Sequence, residues 1–205
     1  MKLSTRKLVI LSLMAALIII MAFTPIGYLK VPGVSISFLM IPVAIGAIAV
    51  GPLAGAILGL VFGITSFVQC FGADLFGTTL MGFSPVGTFI MCIGARVLAG
   101  FLAGLVFKAL KALNSNVVAS LITGFCAAAF NTLCFSGCLL AFFWNNDSFR
   151  AKMAEWGFPI SSALGFAVAF VGINCVIEAI TAEVVTGAID AALTRAGLIK
   201  AEQAA

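Results

Sequence analysis

The sequence has no histidine and a single tyrosine, and only 9% of its 205 residues are charged. Without histidine there is no side chain that titrates near neutral pH when unperturbed, and the commonest metal ligand is gone. The six cysteines, Cys70, Cys92, Cys126, Cys134, Cys138 and Cys175, form no CxxC pair and lie mostly inside apolar runs. They read as small buried hydrophobes, and no metal site is expected. There is no Walker A sequence, no HExxH and no Ser/His/Asp set. A membrane enzyme would have to rely on Glu178, Glu183 or Asp74 alone. An ion-coupled pump would normally gather several carboxylates in the membrane, and only Glu178 is central here. The chain is therefore not expected to be an enzyme or to carry a cofactor.

What the chain does have is apolar surface. Hydrophobic residues make up 63% of it and the mean hydropathy is +1.26, too little polarity to cover a water-soluble domain. The expected fold is all-α, a polytopic membrane protein with residues 1–205 forming one transmembrane domain. The apolar N-terminal run lacks a clear small-x-small cleavage site and reads as a retained first helix. Six spans are expected, at about 8–24, 36–50, 52–70, 85–108, 117–143 and 160–189. "TPIGYLKVPGVS" breaks any helix before the second span, and Gly51-Pro52 turns the chain into the third. The segment between spans three and four is half apolar and is expected to fold back over the protein. The loop "WNNDSFRAKMAEWGFP" is expected to be partly helical.

The net charge of +4 comes from residues at segment ends, a topology signal rather than a nucleic-acid one. Lys2, Arg6, Lys7, Lys108, Lys111, Arg195 and Lys200 fall on one side of a six-span layout, and Lys30, Arg150 and Lys152 on the other. This predicts both termini in the cytoplasm.

Two patterns stand out within the spans. Gly51, Gly55, Gly59 and Gly63 recur every four residues and leave one helix face nearly bare, and Gly100 and Gly104 repeat the device in the fourth span. Such faces let helices approach closely, either inside one bundle or against a partner. The second pattern is polar residues in apolar surroundings. Arg96 lies about ten residues into its span, roughly 15 Å deep. At mid-membrane it costs about 2.5–3.5 kcal/mol on insertion scales and must meet an anion or several carbonyls. Asn131 interrupts the fifth span, and Asn174 and Glu178 share a face of the sixth at i, i+4. Two readings of Arg96 remain open. It pairs with Glu178 and ties two helices, or its planar fork receives the carboxylate of a bound solute, with Asn131 and Asn174 serving hydroxyl or amide groups.

"ISFLMIPVAIGAIAVGPLAGAILGLVFGITSFVQ" resembles the second and third helices of the substrate-binding S components of energy-coupling factor (ECF) vitamin transporters. "ARVLAG", "FNT" and "INCVIEAI" resemble their fourth, fifth and sixth helices. The resemblance covers nearly the whole chain. It implies a vitamin-binding subunit in the cytoplasmic membrane of a prokaryote, without an ATPase of its own. The implied partners are a transmembrane T component and two cytoplasmic ATPases. Docking in the family uses a small-xxx-small pattern on the first helix, matched here by Ser12 and Ala16, with serine in place of one alanine. The likeness is strongest to the branch with pantothenate- and pyridoxine-type cargoes. Pantothenate, with a carboxylate, an amide and two hydroxyls, suits Arg96, Asn131 and Asn174. Pyridoxine-type vitamins, riboflavin and other precursors are the alternatives.

Overall fold

The computed structural model describes residues 4–25, 27–31, 34–111, 116–169 and 172, and all structural observations refer to these. Helix α1 (Thr5–Ala22) leads into a short antiparallel hairpin, β1 (Tyr28–Val31) and β2 (Val34–Ser37). Helices α2 (Met40–Val50), α3 (Pro52–Gln69), α4 (Leu75–Phe83), α5 (Pro85–Leu110), α6 (Asn116–Phe143) and α7 (Asp147–Glu155) follow. Residues 163–169 are again helical.

Local sequence explains most of the helix starts. Ser4, Asp74, Ser84 and Asn146 each accept a hydrogen bond from a first-turn N–H, and Pro52 and Pro85 occupy first-turn positions where no donor is lost. Gly51, at φ 122°, allows the sharp reversal from α2 into α3.

Four helices, α1, α3, α5 and α6, are long and apolar enough to cross a bilayer. Their many exposed large apolar side chains, such as Leu13, Ile64, Phe89 and Leu133, would be a liability in water and are ordinary against lipid. The fold is helical as expected, with one addition: "YLKV" and "VSIS" pair in a short hairpin. One expectation needs correction. The second span was expected from residue 36, but α2 begins at Met40 and has 11 residues, about 16 Å at 1.5 Å per residue. All side chains from Met40 to Ile48 are buried, so α2 lies inside the bundle rather than on its lipid face. The sixth expected span lies largely outside the described residues, and Asn174, Cys175 and Glu178 fall there.

Helices α3 and α5 run antiparallel with backbones in contact. A Cβ on Gly55 would overlap the Gly100 carbonyl, one on Gly59 the Arg96 carbonyl, and one on Gly63 would lie 2.8 Å from the Cys92 oxygen. Gly104 lies against Pro52. Gly51, by contrast, has nothing within 4 Å of its Cβ position and serves the turn. At the end of α3, Gln69 donates its amide N–H to the Ala22 carbonyl at 2.7 Å, tying α3 to α1 beside the hairpin.

The segment between spans three and four carries α4, which packs Leu80 and Gly77 inward. The polar loop carries α7, whose Phe149 and Met153 are buried. With Phe143, Trp144, Phe158 and Phe166 they form an aromatic cluster over this end of the bundle.

Candidate functional site

Arg96 is 7% exposed and sits where α5 meets both α3 and α6. The glycine seam places it there, because the bare Cα of Gly59 leaves room for the Arg96 backbone itself. Its side chain turns back along α5, and Nη1 donates to the carbonyls of Met91 at 3.3 Å and Cys92 at 3.1 Å. This moves the charge about one turn, or ~5 Å, toward the hairpin end of the bundle. The guanidinium carbon lies 4.7 Å from the Phe62 ring centroid and 5.5 Å from that of Phe135. The two rings, one from α3 and one from α6, offer their negative faces to the cation in place of water.

These contacts leave donors to spare. A guanidinium has five N–H groups in a fixed fork, and the buried Nε–H has no hydrogen-bond partner among the described residues. The acidic side chains among the described residues are engaged elsewhere. Asp147 pairs with Arg150, Glu155 pairs with Lys152 at 2.9 Å, and Asp74 caps α4 by accepting from Gly77 N–H at 2.7 Å.

Asn131 stands one helical turn before Phe135, which puts the two on one face of α6. It is 7% exposed, and its buried Oδ1 has no partner among the described residues. Tyr28, on β1, packs into the same apolar cluster as Phe62, and its buried hydroxyl lies beside the side chain of Ser37, its partner across the hairpin. Burial pushes the Tyr28 phenol up to about 12, against the opposing pull of the Arg96 charge. The hydroxyl therefore stays neutral, able to donate and accept. A permanent cation, a neutral amide oxygen and a neutral phenol, each with unused hydrogen-bonding capacity, suit recognition of an anion that carries other polar groups.

The raised Tyr28 value has a consequence for stability. The unfolded phenol ionises near 10 and the folded one near 12, so burial of Tyr28 favours the fold fully below pH 10 and loses that contribution between pH 10 and 12. Melting temperatures measured across this window should fall more steeply for the native chain than for Tyr28→Phe.

Of the residues singled out from sequence, Arg96 and Asn131 are buried on neighbouring helices, while Asn174 and Glu178 lie outside the described residues. Ser12 and Ala16 are exposed on α1. Phe62, Phe135 and Tyr28 were not anticipated. The one available signal was the i, i+4 spacing of Asn131 and Phe135.

The chain matches the family described as "ECF transporter, substrate-specific component" over residues 6–189, and it belongs to that family. It is accordingly a multi-pass cell-membrane protein of a transport system and not an enzyme. Among curated proteins it is similar to the pantothenic acid transporter PanT of Lactococcus lactis subsp. cremoris (strain MG1363). The two are 32% identical over 174 residues, a match covering 78% of each chain.

Proposed function

We propose that this chain captures pantothenate for an ATP-driven ECF importer and that Arg96 holds the vitamin's carboxylate. The observation that carries the reading is the buried Arg96 fork, with an unused Nε–H and no carboxylate partner among the described residues. A carboxylate would complete that fork through charge-assisted hydrogen bonds. The Asn131 oxygen and the Tyr28 hydroxyl supply acceptors and a donor for the amide and hydroxyls of pantothenate. Asn174 and Glu178, read from sequence as polar residues of the sixth span, are assigned to the same site. The cargo of the Lactococcus relative points the same way. A pyridoxine-type vitamin lacks the carboxylate and would leave the fork unfilled.

In this reading the chain crosses the bilayer six times with both termini in the cytoplasm. Arg6, Lys7, Lys108 and Lys111 gather around the α2–α3 turn, at the end of the bundle away from the hairpin, as a cytoplasmic face requires. The site then opens to the outside, and the T component and two ATPases serve the other face.

Thermal stabilisation of the purified chain against a panel of B vitamins tests the cargo. A ligand at a hundred times its dissociation constant stabilises by about 2.7 kcal/mol. Pantothenate should raise the melting temperature, while riboflavin and pyridoxine should not. A rise with pyridoxine alone would overturn the assignment.

Docking on the T component is assigned to α1 through Ser12 and Ala16. Of the residues of α1 only Ile18 and Ala22 are buried, so the helix keeps a broad face for a partner. Ala16→Leu should leave vitamin binding intact and depress uptake in cells, because a branched side chain fills the groove that small residues leave. Ser12→Ala should be nearly silent. Loss of binding together with uptake would count against a docking role.

A further inference from the structure

We propose that Cys70 and Cys92 are a redox-sensitive pair, which peroxide closes into a disulfide that staples the α4 segment across the Arg96 site and slows exchange of the vitamin. The slowing rests on the pantothenate reading above, whereas the disulfide stands without it. The two thiols come from different helices, Cys70 from the end of α3 and Cys92 from α5. Their sulfurs lie 3.8 Å apart, both residues are buried, and both thiols are free.

The surroundings turn the sulfurs toward each other. Cys70 donates its S–H to the Ser66 carbonyl at 3.3 Å, so the Cys92 S–H is the donor between the two sulfurs. Gly63 brings α3 onto the backbone at Cys92 and Ile93, and Gly77 of α4 closes over the Cys70 sulfur, where a Cβ would overlap it. A disulfide needs the sulfurs about 1.8 Å closer than they are. That movement falls on Cys70, which ends its helix and precedes Gly72 at φ 119°, rather than on the glycine seam.

The pair adjoins the fork. The Cys92 carbonyl accepts from Arg96 Nη1 at 3.1 Å. Phe76 of α4 packs against Phe135 with centroids 6.4 Å apart, and Phe135 is the ring that faces the guanidinium from α6. Residues 70–92 run from the end of α3 through α4 into α5, so the disulfide closes this segment into a ring and holds α4 from both sides. A vitamin leaving Arg96 past Phe76 and Phe135 then meets a cover that cannot lift.

The oxidant is hydrogen peroxide, small enough to enter where a bulky thiol reagent cannot. Phe71 and Gly72, next to Cys70, are exposed, so peroxide reaches Cys70 first. The Cys70 sulfur, as thiolate, attacks one peroxide oxygen, the O–O bond breaks, and a sulfenic acid and water result once the proton is passed on. The Cys92 sulfur then attacks the Cys70 sulfur. The S–S bond forms, the S–O bond breaks, and the hydroxyl leaves as water with the Cys92 proton. Two thiols and one peroxide give one disulfide and two waters, with two electrons passing from sulfur to oxygen.

The test treats the purified full chain with hydrogen peroxide and maps its peptides by mass spectrometry. A linked Cys70–Cys92 peptide should appear, and dithiothreitol should remove it. The linked chain should melt several degrees higher, because closing the segment restricts the unfolded chain. It should release labelled pantothenate several-fold more slowly, and reduction should restore both values. A chain with Cys126, Cys134, Cys138 and Cys175 all replaced by serine should respond in the same way. Cys70→Ala should bind pantothenate as the native chain does and keep its release rate in peroxide. Recovery of Cys70 and Cys92 unlinked, or linked to other cysteines, would overturn the pair. A link that leaves the release rate unchanged would overturn the effect on exchange. A chain that binds no pantothenate would overturn the cargo reading alone, and the linked peptide and the melting shift would still decide the disulfide.

Discussion

Replacing Arg96 by alanine is expected to weaken pantothenate binding by about 2–5 kcal/mol, roughly thirty- to several-thousand-fold. Arg96→Lys should fall between, because an ammonium is a point charge and cannot match both carboxylate oxygens as the guanidinium fork does. The competing arrangement, Arg96 paired with Glu178, predicts a different outcome. Removing one partner of a buried ion pair costs about 3–5 kcal/mol of folding stability by leaving the other charge alone. Adding Glu178→Gln to Arg96→Ala should then restore much of the stability. Affinity and melting temperature measured on the four proteins separate the two, with an amide analogue of pantothenate as the ligand half of the cycle. If Arg96 holds the carboxylate, the analogue binds the native chain far more weakly than pantothenate does, and that difference disappears in Arg96→Ala. Rescue of stability by Glu178→Gln with an unchanged preference for the carboxylate would remove Arg96 from the binding site.

Gly59→Ala is expected to damage fold and site together. Its Cβ would overlap the backbone carbonyl of Arg96, which cannot move aside as a flexible side chain can. Forcing atoms into a packed interface costs about 1–3 kcal/mol even where side chains yield. Here the strain falls on the residue proposed to bind the vitamin, so affinity should drop along with melting temperature. Gly137→Ala is the control. Gly137 is exposed on α6 with nothing within 4 Å of its Cβ position, and alanine there should be neutral or stabilising by up to about 1 kcal/mol. Equal melting temperatures for Gly59→Ala and the native chain would mean that α3 and α5 are not held backbone to backbone.

The long helices were legible because a bilayer demands unbroken apolar length, and the start of α3 because Gly51-Pro52 acts through local geometry. The hairpin was not legible. Its two strands are four residues each, and "TPIGYLKVPGVS" signals only that a helix stops. Strand pairing is a relation between segments, and neither strand shows a long alternating pattern. The start of α2 was misplaced for the same reason, since β2 takes residues that an apolar run alone assigns to the helix. In the site, Arg96 announced itself because a cation in an apolar run is costly. Phe62 and Phe135 did not, because they are two of 19 phenylalanines and only the packing of α3, α5 and α6 distinguishes them. Tyr28 is far from the other site residues in sequence, and the hairpin brings it back over the bundle.

The stacking of Arg96 between two rings also fixes when its conformational entropy is lost. Immobilising a side chain with many rotamers at the moment of binding costs about 0.5–1.5 kcal/mol. Here the Met91 and Cys92 carbonyls and the rings of Phe62 and Phe135 hold the guanidinium beforehand, so that loss accompanies folding instead. A solute arriving at the site meets a fork whose direction is already set. Affinity gained in this way shows mainly as a long residence time, since dissociation rates vary more than association rates among related complexes. Letting the solute go then takes a movement of the helices that hold the fork, which no rotamer change of Arg96 alone can supply.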